Sequence, residues 1–532
     1  MTNQDEKYAQ WLLGQAKSGR ISRREFLGRT SALAIALTAG GSLFDSALAA
    51  TPKSGGHMRL GMGHGSTTDT LNPATIENGA QWVAAYGVAN TLVEIAADGS
   101  LVPALATSWE ASDGAKSWTF KLRKGVEFHN GKTMTSEDVV ASLNFHRGKD
   151  SKSVGKIIMD AVTDVRADGP DTLVVELSGG NANFPYNFNE AIFGIYPAKD
   201  DTIDWESGGS GGYKIKRADP GTRYDFERNP NYWKEGRAHA DTIELLTLAD
   251  SNARNSALLT GAVDVIDQVD LKTVTLMQRA PNITIEEGAG PLHYVFPMRT
   301  KVAPFDNPDL RKALKFAIDR EEMLTKILFG HGVLGNDNPI GPSYRYFAAD
   351  IEQTKYDPDK ARHHMEKSGL SGTKIPLSVA DAAFAGAVDA AQLYQASAAK
   401  AGIEIEIIRE PNDGYWSNVW NKKPWAASYW GGYATEDAML TTGYAAGAAW
   451  NDTQWDNPKF DTLLVAARAE LDETRRAEMY RDMQIMLRDE GGVIAPMFAT
   501  AVTARNDKVA HGEQSWVRAF DGRRIMERWW MV

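Results

Sequence analysis

The sequence predicts an α/β protein built from two or three domains, and three observations carry that reading. At 532 residues the chain is too long for one compact core. Its 43% hydrophobic and 24% charged residues are ordinary for a globular fold. Along its length, short stretches that alternate with period two are interleaved with stretches whose apolar residues recur at i, i+3, i+4 and i+7.

The N-terminus reads as an address. Ser22-Arg23-Arg24-Glu25-Phe26-Leu27 is followed by an uncharged run from Thr30 to Phe44 and then by Ala47-Leu48-Ala49. That order is the order of a twin-arginine export signal with an A-x-A cleavage site, so residues 1–49 are expected to be removed after Ala49. The apolar run is too short and too glycine-broken to span a bilayer, which takes about 20 apolar residues. The chain has no cysteine. This excludes disulfides, thiolate metal sites, a cysteine nucleophile and a lipid-modified cysteine anchor, and the expected location is the periplasm without a lipid anchor. A net charge of −11 with no later Lys/Arg-rich run speaks against nucleic acid as a partner.

Thr51 to Gly56 is a Pro/Gly/Ser linker, after which Met58, Leu60 and Met62 alternate as in a strand. Asp69 to Pro73 makes a turn, and Gln81 to Leu92 has helical spacing. Trp118, Phe120 and Leu122, then Val126 and Phe128 after Gly125, predict a half-buried antiparallel ribbon, and Ser136 is placed to cap a helix through Val139, Val140 and Leu143. Tyr213 and Ile215 face Tyr224 and Phe226 across an Asp219-Pro220-Gly221-Thr222 turn, a hairpin. Asn307 and Pro308 open a helix whose Leu310, Ala313, Leu314, Ala317 and Ile318 share one face, and Asp319 with Glu322 predicts a capping box for the next. Asn457-Pro458 starts another, with Phe460, Leu463, Leu464 and Ala467 inward. Ala477, Tyr480, Met483 and Leu487 repeat the pattern until Gly491-Gly492.

Several of these blocks together carry a resemblance. Leu71-Asn72-Pro73, NTLVE at 90–94, GSLVPALATSWE at 99–110 and WTFKLRKGVEFH at 118–129 stand in order, followed by GGSGGYKIKRADPGTRYDFERNPNYW at 208–233, NSALLTGAVDVI at 255–266, PFDNPDLRKALKFAIDREEML at 304–324 and YDPDKARHHMEKSGL at 356–370. The chain resembles the substrate-binding proteins of ABC importers in the peptide/nickel family, over essentially all of its length after the leader. The resemblance implies a type II periplasmic-binding-protein clamshell, two lobes joined by hinge strands with an enlarged first lobe. Applied to this numbering, the first lobe covers 50–293 with an extra subdomain around 90–200, the second covers 294–496, and 497–532 return to the first. The outward crossing falls near Leu292 to Val295 and the return near Ala495 to Ala499. It also implies a monomer that captures a peptide or another amphiphilic organic solute and hands it to an ABC permease with its ATPase subunits, without a cofactor.

Motifs for chemistry are weak. Gly208-Gly209-Ser210-Gly211-Gly212 satisfies G-x-S-x-G, but that elbow needs a strand before it and a helix after it, and here a strand follows. No catalytic residue is assigned. Neither GxxxxGK[ST] nor HExxH occurs, so the energy for transport must come from a partner. His363 and His364 are neighbours on a predicted helix and point about 100° apart, and no metal ligand is assigned.

The stretch from Tyr415 to Trp455 holds six of the fifteen tryptophans, Trp416, Trp420, Trp425, Trp430, Trp450 and Trp455. Large rings with a polar edge suit a ligand wall. A carboxylate beside them can hold an ammonium by charge and by cation–π attraction. Trp416, Trp430, Tyr433, Glu436, Asp437 and Trp450 are therefore the expected ligand-binding residues. Peptide binders of the resembled family carry a glycine-tryptophan-x-x-aspartate run whose acid takes the ligand's amino group, and Gly432 to Asp437 falls at the matching place. The arginine that dipeptide binders use for the ligand carboxylate has no counterpart between Val379 and Val388. The solute is therefore open: a longer peptide, or a non-peptide such as an opine, a metal chelate or a saccharide. A secreted hydrolase is the alternative of another class, and a periplasmic chaperone with a loose apolar cleft is a third.

Overall fold

The structure, a computed structural model, describes residues 52–532. The twin-arginine pair and the expected cleavage site after Ala49 lie outside the described residues. The largest feature is a nine-stranded mixed sheet. Its order is Tyr213–Asp219, Arg223–Arg228, Thr242–Thr247, His57–Met62, Val265–Ile266, Met497–Asn506, Ile283–Val295 and Ser428–Trp430, with Gly332–Leu334 added to Met497–Asn506. His57–Met62 runs parallel to both of its neighbours, and its alternating Met58, Leu60 and Met62 are fully buried.

A separate four-stranded antiparallel sheet joins Ala106–Ser112, Ser117–Leu122, Thr172–Leu177 and Val162–Ala167. Trp118, Phe120 and Leu122 face its core, as the alternation requires. The helix Ser136–Asn144 starts one residue earlier than expected. The Asp138 carboxylate accepts the Thr135 N–H at 2.9 Å, while the Ser136 hydroxyl donates to the Gly169 carbonyl at 2.7 Å and is not free to cap. The expected helix over 81–92 is Gly79–Val88, held by a reciprocal Asn78–Gln81 box and ended where Ala89 turns extended.

The hairpin at 213–228 forms with a bulge between Ile215 and Arg217. Ile215 still opposes Phe226, but Tyr224 faces Ala218, and Ile215 is left 39% exposed. Pro308–Ala317 buries Leu310, Ala313, Leu314 and Ala317. In the following helix only half of the predicted box is present among the described residues: Asp319 accepts the Glu322 N–H at 3.0 Å. Lys374–Val379 and Glu404–Arg409 pair in parallel around the crossover helix Ala387–Ala399.

Two long strands link the halves. Ile283–Val295 and Met497–Asn506 run antiparallel, pairing Ala289 with Thr500 and then His293 with Phe498. Gly290, Pro291 and Leu292 are thus set against Ala499 alone. Proline cannot donate to a ladder, so the slip falls at Pro291. On one side of it the strands join the sheet that contains His57–Met62, and on the other they take Ser428–Trp430 and Gly332–Leu334. The hydrophobic clusters divide at the same place. One combines Met58 to Val265 with Val509 to Trp529, and another runs from Phe296 to Ala499.

Candidate functional site

A cavity of about 720 Å³ opens beside this slip. Its walls come from 268–272, 516–519 and Arg523 on one side, from 326–329, 385–386, Asp389 and Gly431 on the other, and from 290–292, Tyr294 and 499–502 of the crossing strands between them. The volume lies within the roughly 300–1,000 Å³ of ordinary small-molecule sites. Tyr294 provides an aromatic floor, stacked on Phe384 with ring centroids 4.3 Å apart. Trp516 forms the opposite wall, and it can do so because Gly288 has no side chain. A Cβ there would stand 2.2 Å from the indole. Gly288→Ala is expected to drive Trp516 off the strand and to weaken solute retention by about tenfold or more, roughly 1.4 kcal/mol, with the lobes still folded. Mass spectrometry of the retained solute against the wild type checks this, and equal retention would refute it.

Beyond the cavity the aromatic stretch forms a continuous run of rings. Tyr429 pairs with Tyr294 across the sheet and touches Trp416 at 5.5 Å. Trp416 meets Trp420 at 6.1 Å, Trp420 meets Trp450 at 6.2 Å, and Trp450 meets Trp430 at 6.2 Å. Trp416 and Trp450 are 41% and 52% exposed, whereas Trp430 lies inward, opposite His293. Beneath the rings Asp452 is buried and accepts the Trp420 indole N–H at 3.0 Å. Burial pushes its pKa up to about 7.

The two expected acids begin the helix Glu436–Gly443. Glu436 lines a narrow crevice with Tyr186, Arg345 and Tyr346, and its Oε1 accepts the Tyr346 N–H at 2.6 Å. Burial raises its pKa, with Arg345 and Arg476 pulling it partly back. Half-buried Tyr433 takes the Tyr344 hydroxyl through its backbone N–H at 3.0 Å. Asp437 already has a cation, since the Arg468 Nε reaches its two oxygens at 2.9 and 3.1 Å. Asp437→Asn is therefore expected to lower stability by about 1–2 kcal/mol and to leave solute affinity unchanged, read by thermal melts with and without solute. A large loss of affinity with an unchanged melt would show that the carboxylate faces the ligand. None of the six sequence-predicted residues lines the 720 Å³ cavity, to which the aromatic stretch contributes Gly431.

The profile of the bacterial extracellular solute-binding proteins, family 5 (Middle), matches residues 100–452. The chain belongs to this family. Heme-binding protein A of Haemophilus influenzae is 25% identical to it over 457 residues, spanning 79% of this chain and 83% of that protein. A dipeptide-binding protein of Pseudomonas aeruginosa is 26% identical over 487 residues, 83% of this chain and 90% of the relative. Among solved structures, the periplasmic binding protein DppA from Helicobacter pylori in complex with the peptide STSA superposes with a TM-score of 0.69 at 23% identity. That match covers 90% of this chain and 98% of the other. HbpA2 from Haemophilus parasuis gives 0.78 at 20% identity over 88% and 99%.

The family 5 protein therefore has the type II clamshell fold that its sequence predicts. It is a non-enzymatic, solute-binding component of ABC transport that works in the periplasm or outside the cell. Among the described residues no group of three His, Cys, Asp or Glu is arranged to hold a metal. The wall at 268–272 and the segment 516–523 escaped sequence reasoning. Trp516 and Arg518 carry no recognisable spacing, and Asp521-Gly522 signals only a turn.

Proposed function

We propose that this family 5 protein captures a peptide or peptide-like solute between its lobes and delivers it to the permease of an ABC importer, acting as a monomer in the periplasm. The observation that carries the reading is the cavity itself, walled by both halves and by both crossing strands. A solute that touches all three binds the closed form better than the open one, and that difference is what shifts the population towards closure. The peptide-binding relatives support the ligand class. The rings of Trp416, Trp430 and Trp450, with Tyr433 and Glu436 further along, extend the surface past the cavity for a longer solute.

The same reading assigns residues 50–293 to the first lobe, with a subdomain around 90–200, residues 294–496 to the second, and 497–532 to the return. The leader directs export by the twin-arginine route with cleavage after Ala49, and no cysteine is present for a lipid anchor.

Protein isolated from the periplasm is expected to release a peptide or a close relative on denaturation, identified by mass spectrometry. Adding that solute at a hundred times its Kd should raise stability by about 2.7 kcal/mol. Chemical turnover of the released compound, or no retained solute together with no stabilisation by a peptide library, would overturn the reading.

A further inference from the structure

This inference rests on the cavity being the solute site. Six charged residues line it, and four of them are basic: Lys272, Lys326, Arg518 and Arg523, against Asp270 and Asp389. That excess lies inside a protein whose net charge is −11, so it is local and not a property of the whole surface. Both arginines flank or belong to one unusual turn. Phe520, Asp521, Gly522 and Arg523 have φ of 58°, 56°, 64° and 69°, four successive residues in the left-handed region, and only one is glycine. Residues other than glycine hold that region singly and rarely.

The surroundings force it. Phe520 is buried, and the Asp521 carboxylate accepts the Ser515 N–H at 2.8 Å and pairs with Arg528 at 2.9 Å. Strain fixed in this way clusters at ligand sites, because it presents a side chain that a relaxed turn would aim elsewhere. The side chain presented here is Arg523. Its Nη1 makes a long 3.3 Å bond to Asp267, a carboxylate that already accepts the Gly63 N–H at 2.8 Å and lies 3.9 Å from Arg254. Among the described residues, Nε and Nη2 of Arg523 have no hydrogen-bond partner. Those two atoms form the edge of a guanidinium that grips a carboxylate through two parallel bonds. Arg518 lines the same cavity, over the Trp82 ring at 4.2 Å and paired with Glu190 at 3.1 Å. Burial lowers the Arg523 pKa, the Asp267 carboxylate offsets part of that, and the charge of Arg518 adds to the lowering.

We propose that Arg523, presented by the left-handed turn and backed by Arg518, docks a carboxylate group of the solute. The carboxylate is the terminal one of a peptide or that of an N-carboxyalkyl amino acid. It is held from the segment that follows the crossing strand Met497–Asn506.

The test uses the full exported protein and three probe sets: tri- and tetrapeptides with free C-termini, the same peptides as C-terminal amides, and N-carboxyalkyl amino acids. Binding is read by native mass spectrometry and calorimetric titration. The free acids are expected to bind at least about tenfold tighter than the amides. Arg523→Gln should abolish that preference, and Arg523→Lys should keep part of it. The acid–amide comparison on the wild type requires no variant, so a misfolded variant leaves the test intact. Equal binding of acids and amides overturns the inference and leaves the peptide reading standing. Binding of N-carboxyalkyl amino acids alone supports the inference and overturns the peptide reading. No binding of either acid, or an acid preference unchanged in Arg523→Gln, overturns the assignment of Arg523.

Discussion

Replacing Glu94 with alanine is expected to destabilise the first lobe by about 3–5 kcal/mol, the scale for removing one partner from a buried ionic network. Glu94 lies on the short strand Val93–Ile95 and is 5% exposed. Lys234 bonds its Oε1, and Arg524 and Arg528 approach at 3.4 and 3.5 Å. Lys234 also reaches Glu527 at 2.7 Å, and Arg524 lies 4.0 Å over the Tyr86 ring. Without Glu94, the carboxylates left to these three cations among the described residues are Glu527 and Asp521. Burial by itself would raise the Glu94 pKa, yet Lys234, Arg524 and Arg528 together hold it well below the ordinary carboxylate range. A carboxylate with a depressed folded pKa stabilises the fold above its unfolded value near 4.5, and that contribution is lost as pH falls. The gap between wild type and variant, measured by calorimetry, should therefore narrow from pH 7 to pH 3. A gap under about 1 kcal/mol at pH 7, or one that does not narrow, would refute the account.

Asp337→Ala should act equally strongly on the other half, again by about 3–5 kcal/mol. Asp337 is fully buried, pairs with Arg320 at 2.6 Å and accepts the Ala495 N–H at 3.2 Å, tying the start of a helix to the returning chain. Lys315 is also buried close by, and burial pushes its pKa down to about 8 despite the pull of Asp337. Among the described residues, removing the carboxylate leaves two buried cations held by backbone carbonyls, Lys315 by those of Leu487 and Arg488 and Arg320 by those of Lys315 and Thr354. Because a protein of two lobes need not melt in one step, the two variants distinguish the halves. Glu94→Ala should lower one calorimetric transition and Asp337→Ala the other. If both shifted the same transition by the same amount, the lobes would be a single cooperative unit.

The elements were legible where one residue pattern decides one local geometry. Met58, Leu60 and Met62 fix a strand by parity, and Asn307-Pro308 with Leu310, Ala313 and Leu314 fix a helix by cap and stripe. The cavity was not legible, because its walls come from segments with no local relation. Gly288 and Trp516 are in contact although more than two hundred residues separate them. The left-handed turn at 520–523 is set by Ser515 and Arg528 gripping Asp521, a constraint that no propensity encodes. Asp437 shows what a sequence leaves out about a charge. Its place between aromatic residues suggests a ligand charge, and the structure adds a counter-ion, Arg468, 31 positions away.

The three-against-one slip at Gly290 to Leu292 marks where the crossing ribbon would flex. A hydrogen-bonded ribbon bends most readily where its rungs are interrupted, so the interruption would serve as an axle with the cavity opening beside it. Outside that ribbon, Tyr186 meets Arg345 at 2.9 Å, Asn183 meets Tyr480 at 3.1 Å, and the Ala182 N–H donates to the Arg468 carbonyl at 2.6 Å. Rotation about such an axle would separate those fastenings while leaving the stacked floor of Tyr294 and Phe384 in place.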